Sequence, residues 1–145
     1  MRDFQRQKVY DWENEFVRPK MPTTRTSIEK LSIINDFMWN AMGFENAPRV
    51  IFNPLYEVKS TGSRYEIKLS KHQHDEFTLT HELAHSMNLM EHRDVYDHHG
   101  PNYVADYCTL LRRFYGFDYH YLVGTLSRNK IKINLGLHLE NMSNV

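Results

Sequence analysis

Hydrophobic side chains recur at helical spacing in the first third of the chain. In the first group, which predicts an amphipathic helix within residues 1–20, the apolar positions are Phe4, Val9, Trp12 and Phe16. Prolines and threonines separate this group from a second one, which begins at a capping-box sequence over residues 26–29 and ends at Gly43. The apolar positions of the second group are Ile28, Leu31, Ile34, Met38 and Met42.

A strand pattern replaces the helical one after residue 48. Residues 49–52 predict a short apolar strand, and residues 55–59 and 64–70 predict the two arms of a hairpin around a turn at residues 60–63. In the second arm the hydrophobic positions alternate with polar ones, and they are Tyr65, Ile67 and Leu69. One face of this arm is therefore expected to be buried, while the other faces water.

Helical spacing returns in the second half of the chain. Apolar positions predict a helix over residues 76–90. A polar stretch follows, and the pair Gly100 and Pro101 then predicts the start of another helix, because proline suits the first helical position. Gly116 predicts its end.

The last part of the chain predicts three short segments. Asp118 caps a short helix that runs to Leu126, and residues 131–135 form a last strand. Residues 136–145 are expected to fray as a tail. The order of elements predicts one α+β domain over residues 1–145, in which a small, mostly antiparallel sheet packs on helices.

The composition narrows the classes of function. Eighteen Lys and Arg residues balance eighteen Asp and Glu residues, so the zero net charge does not support nucleic acid as a partner. The single cysteine, Cys108, excludes a disulfide framework and a cysteine-rich zinc finger. No apolar run reaches the roughly 18 residues of a transmembrane helix, and the first residues do not resemble a signal peptide. A cytoplasmic protein without a membrane partner is expected.

Histidine points to the chemistry, because seven of the nine histidines lie between His72 and His99. Within this stretch His81, Glu82 and His85 form an H-E-x-x-H motif. On a helix, positions i and i+4 share one face, so both imidazoles can bind the same metal ion. The glutamate between them can take a proton from a water that Zn²⁺ activates. The motif therefore predicts one zinc ion per chain and hydrolysis of an amide bond, with Glu82 as the catalytic base.

A catalytic zinc site needs a third protein ligand. His99 is the preferred candidate, because it directly precedes the helix predicted to begin at Pro101 and would be held by a rigid element. His98 is its main rival. His92 and Asp106 stay as further alternatives, although a ligand at Asp106 would have to come from the middle of a helix.

The sequence His99-Gly100-Pro101-Asn102-Tyr103, placed after the motif, resembles the H-E-x-x-H…H-G-P-x-aromatic pattern of SprT-like and Spartan-like metallopeptidases. Residues 63–70 are similar to the strand that leads into their motif helix. The resemblance implies a minimal zincin-like fold with the motif on a central helix. It also implies zinc bound by His81, His85 and His99, with Glu82 as the base. The chain has no zinc ribbon and no basic tail.

A zinc-dependent metallopeptidase that hydrolyses protein or peptide substrates is the predicted function. One alternative is a non-catalytic binding module of zincin shape, which the presence of Glu82 disfavours, and another is a protease of DNA-associated proteins that uses the basic stretch 112–132. If residues 64–70 form an edge strand, an extended peptide could pair with them. The substrate-binding residues predicted in that case are Tyr65, Ile67 and Leu69.

Overall fold

The computed structural model describes residues 3–53, 59–91 and 98–143. Within them the chain forms six α-helices and one three-stranded sheet, which confirms the α+β class. In chain order the elements are α1 (Arg6–Trp12), α2 (Ile28–Ala41), β1 (Arg49–Phe52), β2 (Thr61–Gly62), β3 (Glu66–Leu69), α3 (Glu76–Glu91), α4 (Pro101–Tyr115), α5 (Tyr119–Arg128) and α6 (Leu135–Ser143). A π-helical turn, Glu13–Val17, and a 3₁₀ turn, Arg18–Lys20, follow α1 directly. None of the described helices is long and apolar enough to cross a membrane.

The predicted N-terminal helix is α-helical only in α1, and it continues as the π-helical and 3₁₀ turns. Val9 and Trp12 are buried as predicted, whereas Phe4 is exposed. In the π-helical turn the hydrogen bonds span five residues instead of four. The next buried hydrophobic position is accordingly Val17, while Phe16 is only partly buried against the core.

The second helix and the first strand lie where the sequence predicts them. Ser27 caps α2, because its hydroxyl oxygen accepts a hydrogen bond from the main-chain N–H of Lys30. Beyond the helix, Gly43 has a φ of 88°, a left-handed conformation that glycine tolerates best. α2 packs against β1, and it contributes Leu31 and Met38 to the hydrophobic core.

The sheet is mixed, with strand order β1-β3-β2. β1 and β3 pair in parallel, with Arg49 opposite Glu66. β2 pairs antiparallel with β3, with Thr61 opposite Lys68. The prediction of a mostly antiparallel sheet is therefore wrong, since the longer of the two pairings is parallel.

The predicted hairpin differs from the structure in its first arm. Residues 60–63, expected to form the turn, include the short strand β2. Residues 54–58, which make up most of the expected arm, lie outside the described residues. A strand of only two residues has no alternation of polar and apolar side chains, so its position cannot be derived from periodicity.

The motif helix α3 is buried along most of its length. It begins one residue after Asp75, whose carboxylate accepts a hydrogen bond of 2.7 Å from the main-chain N–H of Thr78. All twelve residues from Phe77 to Asn88 are buried. The helix contacts β2 and β3, and it packs along α4. This confirms the helix predicted at residues 76–90.

The helix predicted from the Gly100-Pro101 pair is also confirmed. Pro101 opens α4, and Gly116 ends it with a φ of 70°. Asp118 caps α5 by accepting a hydrogen bond from the main-chain N–H of Tyr121. Each of these boundaries depends on local main-chain geometry, which is why the sequence predicts them.

The two C-terminal predictions are wrong. Residues 131–134 form no strand, and α6 occupies most of the segment that was expected to fray. The side-chain oxygen of Asn134 accepts a hydrogen bond from the main-chain N–H of Leu137, which caps this helix. A helix of nine residues is marginal alone, but α6 packs on α4 and buries His138 there.

His138 is a buried polar side chain at the contact between α6 and α4. Its Nδ1 lies 3.0 Å from Oγ1 of Thr109, and its Nε2 lies 3.0 Å from a guanidinium nitrogen of Arg112. Because a guanidinium only donates, Nε2 must accept, and the ring is neutral with its proton on Nδ1. Burial lowers the pKa of His138, and the charge of Arg112 acts in the same direction.

We expect this histidine to make the fold sensitive to acid. The folded state holds the ring neutral, whereas the unfolded chain takes up a proton near the ordinary pKa of about 6.5. The stability it contributes is therefore present above that pH and is lost as the pH falls. Thermal unfolding at about pH 7.5 and about pH 5.5 should show a smaller acid destabilisation in His138→Gln than in wild type. His120→Gln is the control, because His120 is exposed; equal acid destabilisation in all three proteins would contradict the assignment.

Candidate metal centre

α3 places both motif histidines on one face. His81, Glu82 and His85 all lie in the buried middle of this helix, with their side chains reaching the same cavity. The phenol ring of Tyr103 stacks on His85 with 4.2 Å between ring centroids, and its hydroxyl group donates a 3.0 Å hydrogen bond to the main-chain oxygen of His81. α4 thus supports the motif helix directly beneath the two imidazoles.

His99 completes a cluster of three buried histidines. One ring nitrogen each of His81, His85 and His99 lies within 4.8 Å of the other two, which is close enough to hold a metal ion. His99 precedes α4 by two residues and is only 4 % exposed. Among the sequence-predicted ligands, these three are the ones that the structure brings together. We call them the metal centre.

The rival candidates for the third ligand do not belong to this cluster. His98 lies beside the cavity, but it is exposed, and its ring centroid is 6.4 Å from that of His85. Asp106 points to the other side of α4, where the side chain of Asn141 donates a hydrogen bond to its carboxylate. His92 lies outside the described residues.

A buried carboxylate from the N-terminal segment orients His81. Glu13 lies in the π-helical turn, and its Oε2 is 2.7 Å from Nδ1 of His81. The hydroxyl group of Tyr107 donates a second 2.7 Å hydrogen bond to the same oxygen. Since the carboxylate accepts, Nδ1 of His81 carries the proton and Nε2 is directed toward the metal centre. A hydrogen bond of this kind fixes both the tautomer and the ring orientation of a metal-binding histidine.

The same arrangement holds His99. Its Nδ1 lies 2.6 Å from Oδ2 of Asp3, and the side-chain amide of Gln5 donates a hydrogen bond to its main-chain oxygen. Nε2 of His99 is buried and has no hydrogen-bond partner among the described residues. A buried nitrogen without a partner is costly unless a ligand satisfies it. Three imidazole nitrogens, two of them oriented by carboxylates, fit a divalent metal ion with an open coordination position.

The surroundings of the three rings shift their pKa values in different directions. Burial disfavours the charged form of His81, but the charge and hydrogen bond of Glu13 outweigh burial and raise its pKa to about 9. Burial lowers the pKa of His85 and of His99, and the charge of His81 lowers both further. A metal ion bound at these nitrogens would therefore compete with a proton on His81.

Glu82 borders the metal centre as the motif predicts. Burial raises the pKa of its carboxyl group to about 7, although the positive charges of His81 and Lys59 oppose this shift. The side chain lines the same cavity as the three histidines, and this cavity has a volume of about 340 Å³. We call this cavity the cleft. Glu82 is thus a carboxyl group that can exchange protons near neutral pH beside a metal centre.

Strand β2 forms one wall of the cleft. Thr61 and Gly62 line it, with β3 on the other side of β2. Gly62 lies directly against α3, so that a methyl group in its place would overlap the main-chain oxygen of Glu82. The hydroxyl group of Ser86 donates a hydrogen bond to the main-chain oxygen of Ser63 and fastens this strand to α3.

The predicted substrate-binding residues are not at this wall. β3 has a neighbour on each side and is the central strand, so it is not an edge strand. Ile67 and Leu69 are buried in the hydrophobic core, and Tyr65 is 71 % exposed and does not line the cleft. The edge-strand prediction for residues 64–70, on which these substrate contacts depended, is wrong, because alternation shows which face of a strand is buried but not where the strand lies in its sheet. The edge strand at the cleft is β2.

Several residues of the site had not been predicted from the sequence. The sequence gives a weak indication that Glu13 is buried. It lies four residues after the buried Val9, so a charged side chain falls on the apolar face of the predicted helix. Asp3 and Lys59 have no such signal, because they reach the cleft only through the tertiary fold. Tyr107, buried as a core residue, also binds Glu13.

Searches of protein families, of curated proteins and of solved structures found no match to this chain. The resemblance to SprT-like and Spartan-like metallopeptidases therefore stays a prediction, and it depends on residues 63–103. The chemistry of the site is accordingly argued from the geometry of the metal centre and the cleft.

Replacing His99 should abolish tight metal binding, whereas replacing His98 should not. His99→Ala removes one of three ligands, so the fall in zinc affinity should exceed the roughly 10–100-fold that loss of an outer hydrogen-bond partner costs. Competition with a chromophoric chelator measures the affinity, and elemental analysis measures the zinc content. His98→Ala is the matched control, as the neighbouring histidine outside the cluster. A larger loss in His98→Ala than in His99→Ala would overturn the assignment.

Removing the charge of Glu13 should weaken the metal centre without removing a ligand. Glu13→Gln keeps the size of the side chain but loses the carboxylate that orients His81, so zinc affinity should fall by roughly 10–100-fold. The same competition assay measures this change. Glu15→Gln is the control, because Glu15 lies in the same turn and is exposed. Equal affinities for both variants would show that Glu13 does not act on the metal centre.

Proposed function

We propose that this protein is a zinc-dependent metallopeptidase of minimal zincin-like fold. The observation that carries the proposal is the metal centre of His81, His85 and His99 with the carboxyl group of Glu82 in the same cleft. Three imidazoles leave a zinc ion with its full positive charge and one position for a further ligand. The H-E-x-x-H motif on a buried helix and the ligand at the start of the next helix support the resemblance to SprT-like and Spartan-like enzymes.

In this proposal Glu82 transfers protons, whereas Glu13 and Asp3 orient the metal-binding histidines. When bound, zinc supplies a Lewis acid that polarises a carbonyl group and makes a water molecule acidic. Glu82 accepts the proton of the attacking water and delivers it to the amine that leaves. Glu13 and Asp3 hold the imidazoles of His81 and His99 in the orientation that the metal requires.

The substrate lies along β2 in this proposal. β2 is an edge strand beside the cleft, and main-chain groups at an edge can pair with an extended peptide. Such a peptide would lie beside the carboxyl group of Glu82, since Gly62 and Glu82 line the same cleft. Gln73 keeps the entry to β2 in place, because its side-chain oxygen accepts hydrogen bonds from the main-chain N–H and the hydroxyl group of Ser60.

The other functions considered have less support. A binding module without turnover has no need of a carboxyl group at Glu82 inside the cleft. For a protease of DNA-associated proteins, part of the basic stretch 112–132 is engaged within the fold: Arg112 contacts His138, and Arg113 donates a hydrogen bond to the main-chain oxygen of Ala41. The expected cytoplasmic location stays a prediction.

The decisive experiment separates metal binding from turnover. Zinc-loaded wild type should cleave an unfolded protein such as casein, and Glu82→Gln should lower the rate by roughly 10²–10⁴-fold because the variant cannot accept the proton. Its zinc content should remain that of wild type, since Glu82 is not a ligand.

Glu91→Gln is the matched control, because Glu91 lies at the end of the same helix and is exposed. It should cleave casein at the rate of wild type. Equal rates for wild type and Glu82→Gln, or zinc-loaded protein that cleaves no polypeptide, would reject the proposal.

A further inference from the structure

The cleft continues beyond Glu82 into a second cavity. This cavity has a volume of about 430 Å³ and shares a wall with the metal cleft, to which Tyr10, His81 and Glu82 belong. We call it the basic lobe. The residues that give it its character are Arg6, Asn14, Arg18, Lys59, Gln73 and Phe77.

Arg18 is held in a defined position within the basic lobe. It lies in the 3₁₀ turn after the π-helix, and its Cζ is 4.4 Å from the centroid of the Phe77 ring. Its Nε donates a 3.1 Å hydrogen bond to the side-chain oxygen of Asn14. Stacking on one face and a hydrogen bond at Nε restrain the guanidinium plane and leave its two terminal nitrogens to a ligand.

The three cations of the basic lobe form no close ion pair among the described residues. Arg6, Arg18 and Lys59 line the cavity, and in the described ranges none of them forms a salt bridge with a carboxylate. Two carboxyl groups border it. Glu13 already accepts hydrogen bonds from His81 and Tyr107, and Glu82 lies at the boundary with the metal cleft.

We propose that the basic lobe is a specificity subsite that binds a carboxylate of the substrate, with the guanidinium group of Arg18 as its main contact. This inference rests on the proposed peptidase function. A planar guanidinium matches a carboxylate with two parallel hydrogen bonds. Because the two cavities share a wall, a peptide whose scissile bond lies at the metal centre can reach the lobe with a neighbouring residue.

Two sources of a carboxylate fit this chemistry. An aspartate or glutamate side chain near the scissile bond makes the protein a peptidase with acidic preference. The free C-terminus of a peptide makes it an enzyme that trims chain ends. A pair of peptides distinguishes them: one has an internal glutamate and an amidated C-terminus, and the other has only neutral side chains and a free C-terminus.

The test compares the cleavage of each peptide with that of a fully neutral, amidated peptide. Wild type should prefer one of the carboxylate peptides, and Arg18→Gln should reduce this preference in kcat/KM by about tenfold, the lower end of what a charge-assisted hydrogen bond contributes. Arg18→Glu should shift the preference toward a peptide with lysine at the same position. High salt should weaken the preference of wild type, since an exposed ion pair is screened.

Arg128→Gln is the matched control, because Arg128 is also an exposed arginine over an aromatic ring, that of Phe16, and does not line the cleft or the basic lobe. It should keep the preference of wild type. Thermal unfolding of each variant shows that the fold is intact. A wild-type enzyme without carboxylate preference, or a preference that Arg18→Gln leaves unchanged, would overturn the subsite.

A binding measurement separates this subsite from the peptidase proposal. Calorimetry with the zinc-loaded protein gives the affinity for each uncleaved peptide in the Glu82→Gln background. Tighter binding of a carboxylate peptide that is lost with Arg18→Gln supports the subsite, even if wild type cleaves no peptide and the peptidase proposal fails. Equal affinities for the carboxylate and neutral peptides would overturn the subsite, even if wild type cleaves both.

Discussion

The buried carboxylate of Glu13 joins three parts of the chain at one point. Its Oε2 accepts hydrogen bonds from His81 of α3 and Tyr107 of α4, while Glu13 itself belongs to the N-terminal segment. A carboxylate is costly to bury unless it is paired and hydrogen-bonded. Removing one of its partners destabilises the fold, because part of the buried charge is then left uncompensated. The N-terminal segment must therefore dock where it does, and the orientation of His81 depends on that docking.

The N-terminal segment is in consequence part of the site. Asp3 orients His99, Glu13 orients His81, and Arg18 lines the adjoining basic lobe. All three lie within or next to a helix that changes from α to π to 3₁₀ winding, and such π-helical turns are frequent at functional sites. The proposed metal centre and the proposed carboxylate subsite thus both draw on this one short stretch, yet they depend on different side chains, so single substitutions can test them separately.

The fold could be predicted from the sequence wherever an element is defined by its own residues. The bounds of α2, α3 and α4 follow from caps, proline, glycine and periodicity, as at Ser27, Pro101 and Gly116. The sheet was predicted less well, because the parallel pairing of β1 and the edge position of β2 depend on long-range contacts. α6 was not predicted, because a helix this short is stabilised by packing on α4 rather than by its own helix propensity.

By itself the sequence determined the α+β class, the motif helix and the placement of His81 and His85 on one face with Glu82 between them, because residues four apart on a helix share a face regardless of the remaining fold. The sequence also narrowed the third ligand to a few candidates. It preferred His99 among them, and only the tertiary structure showed that His99, and not its neighbour His98, lies within reach of both His81 and His85. The structure also placed the side chains around them. It alone supplied the carboxylates that orient the rings, because 68 residues separate Glu13 from His81 and 96 separate Asp3 from His99. No periodicity relates positions so distant, and the packed core brings them together.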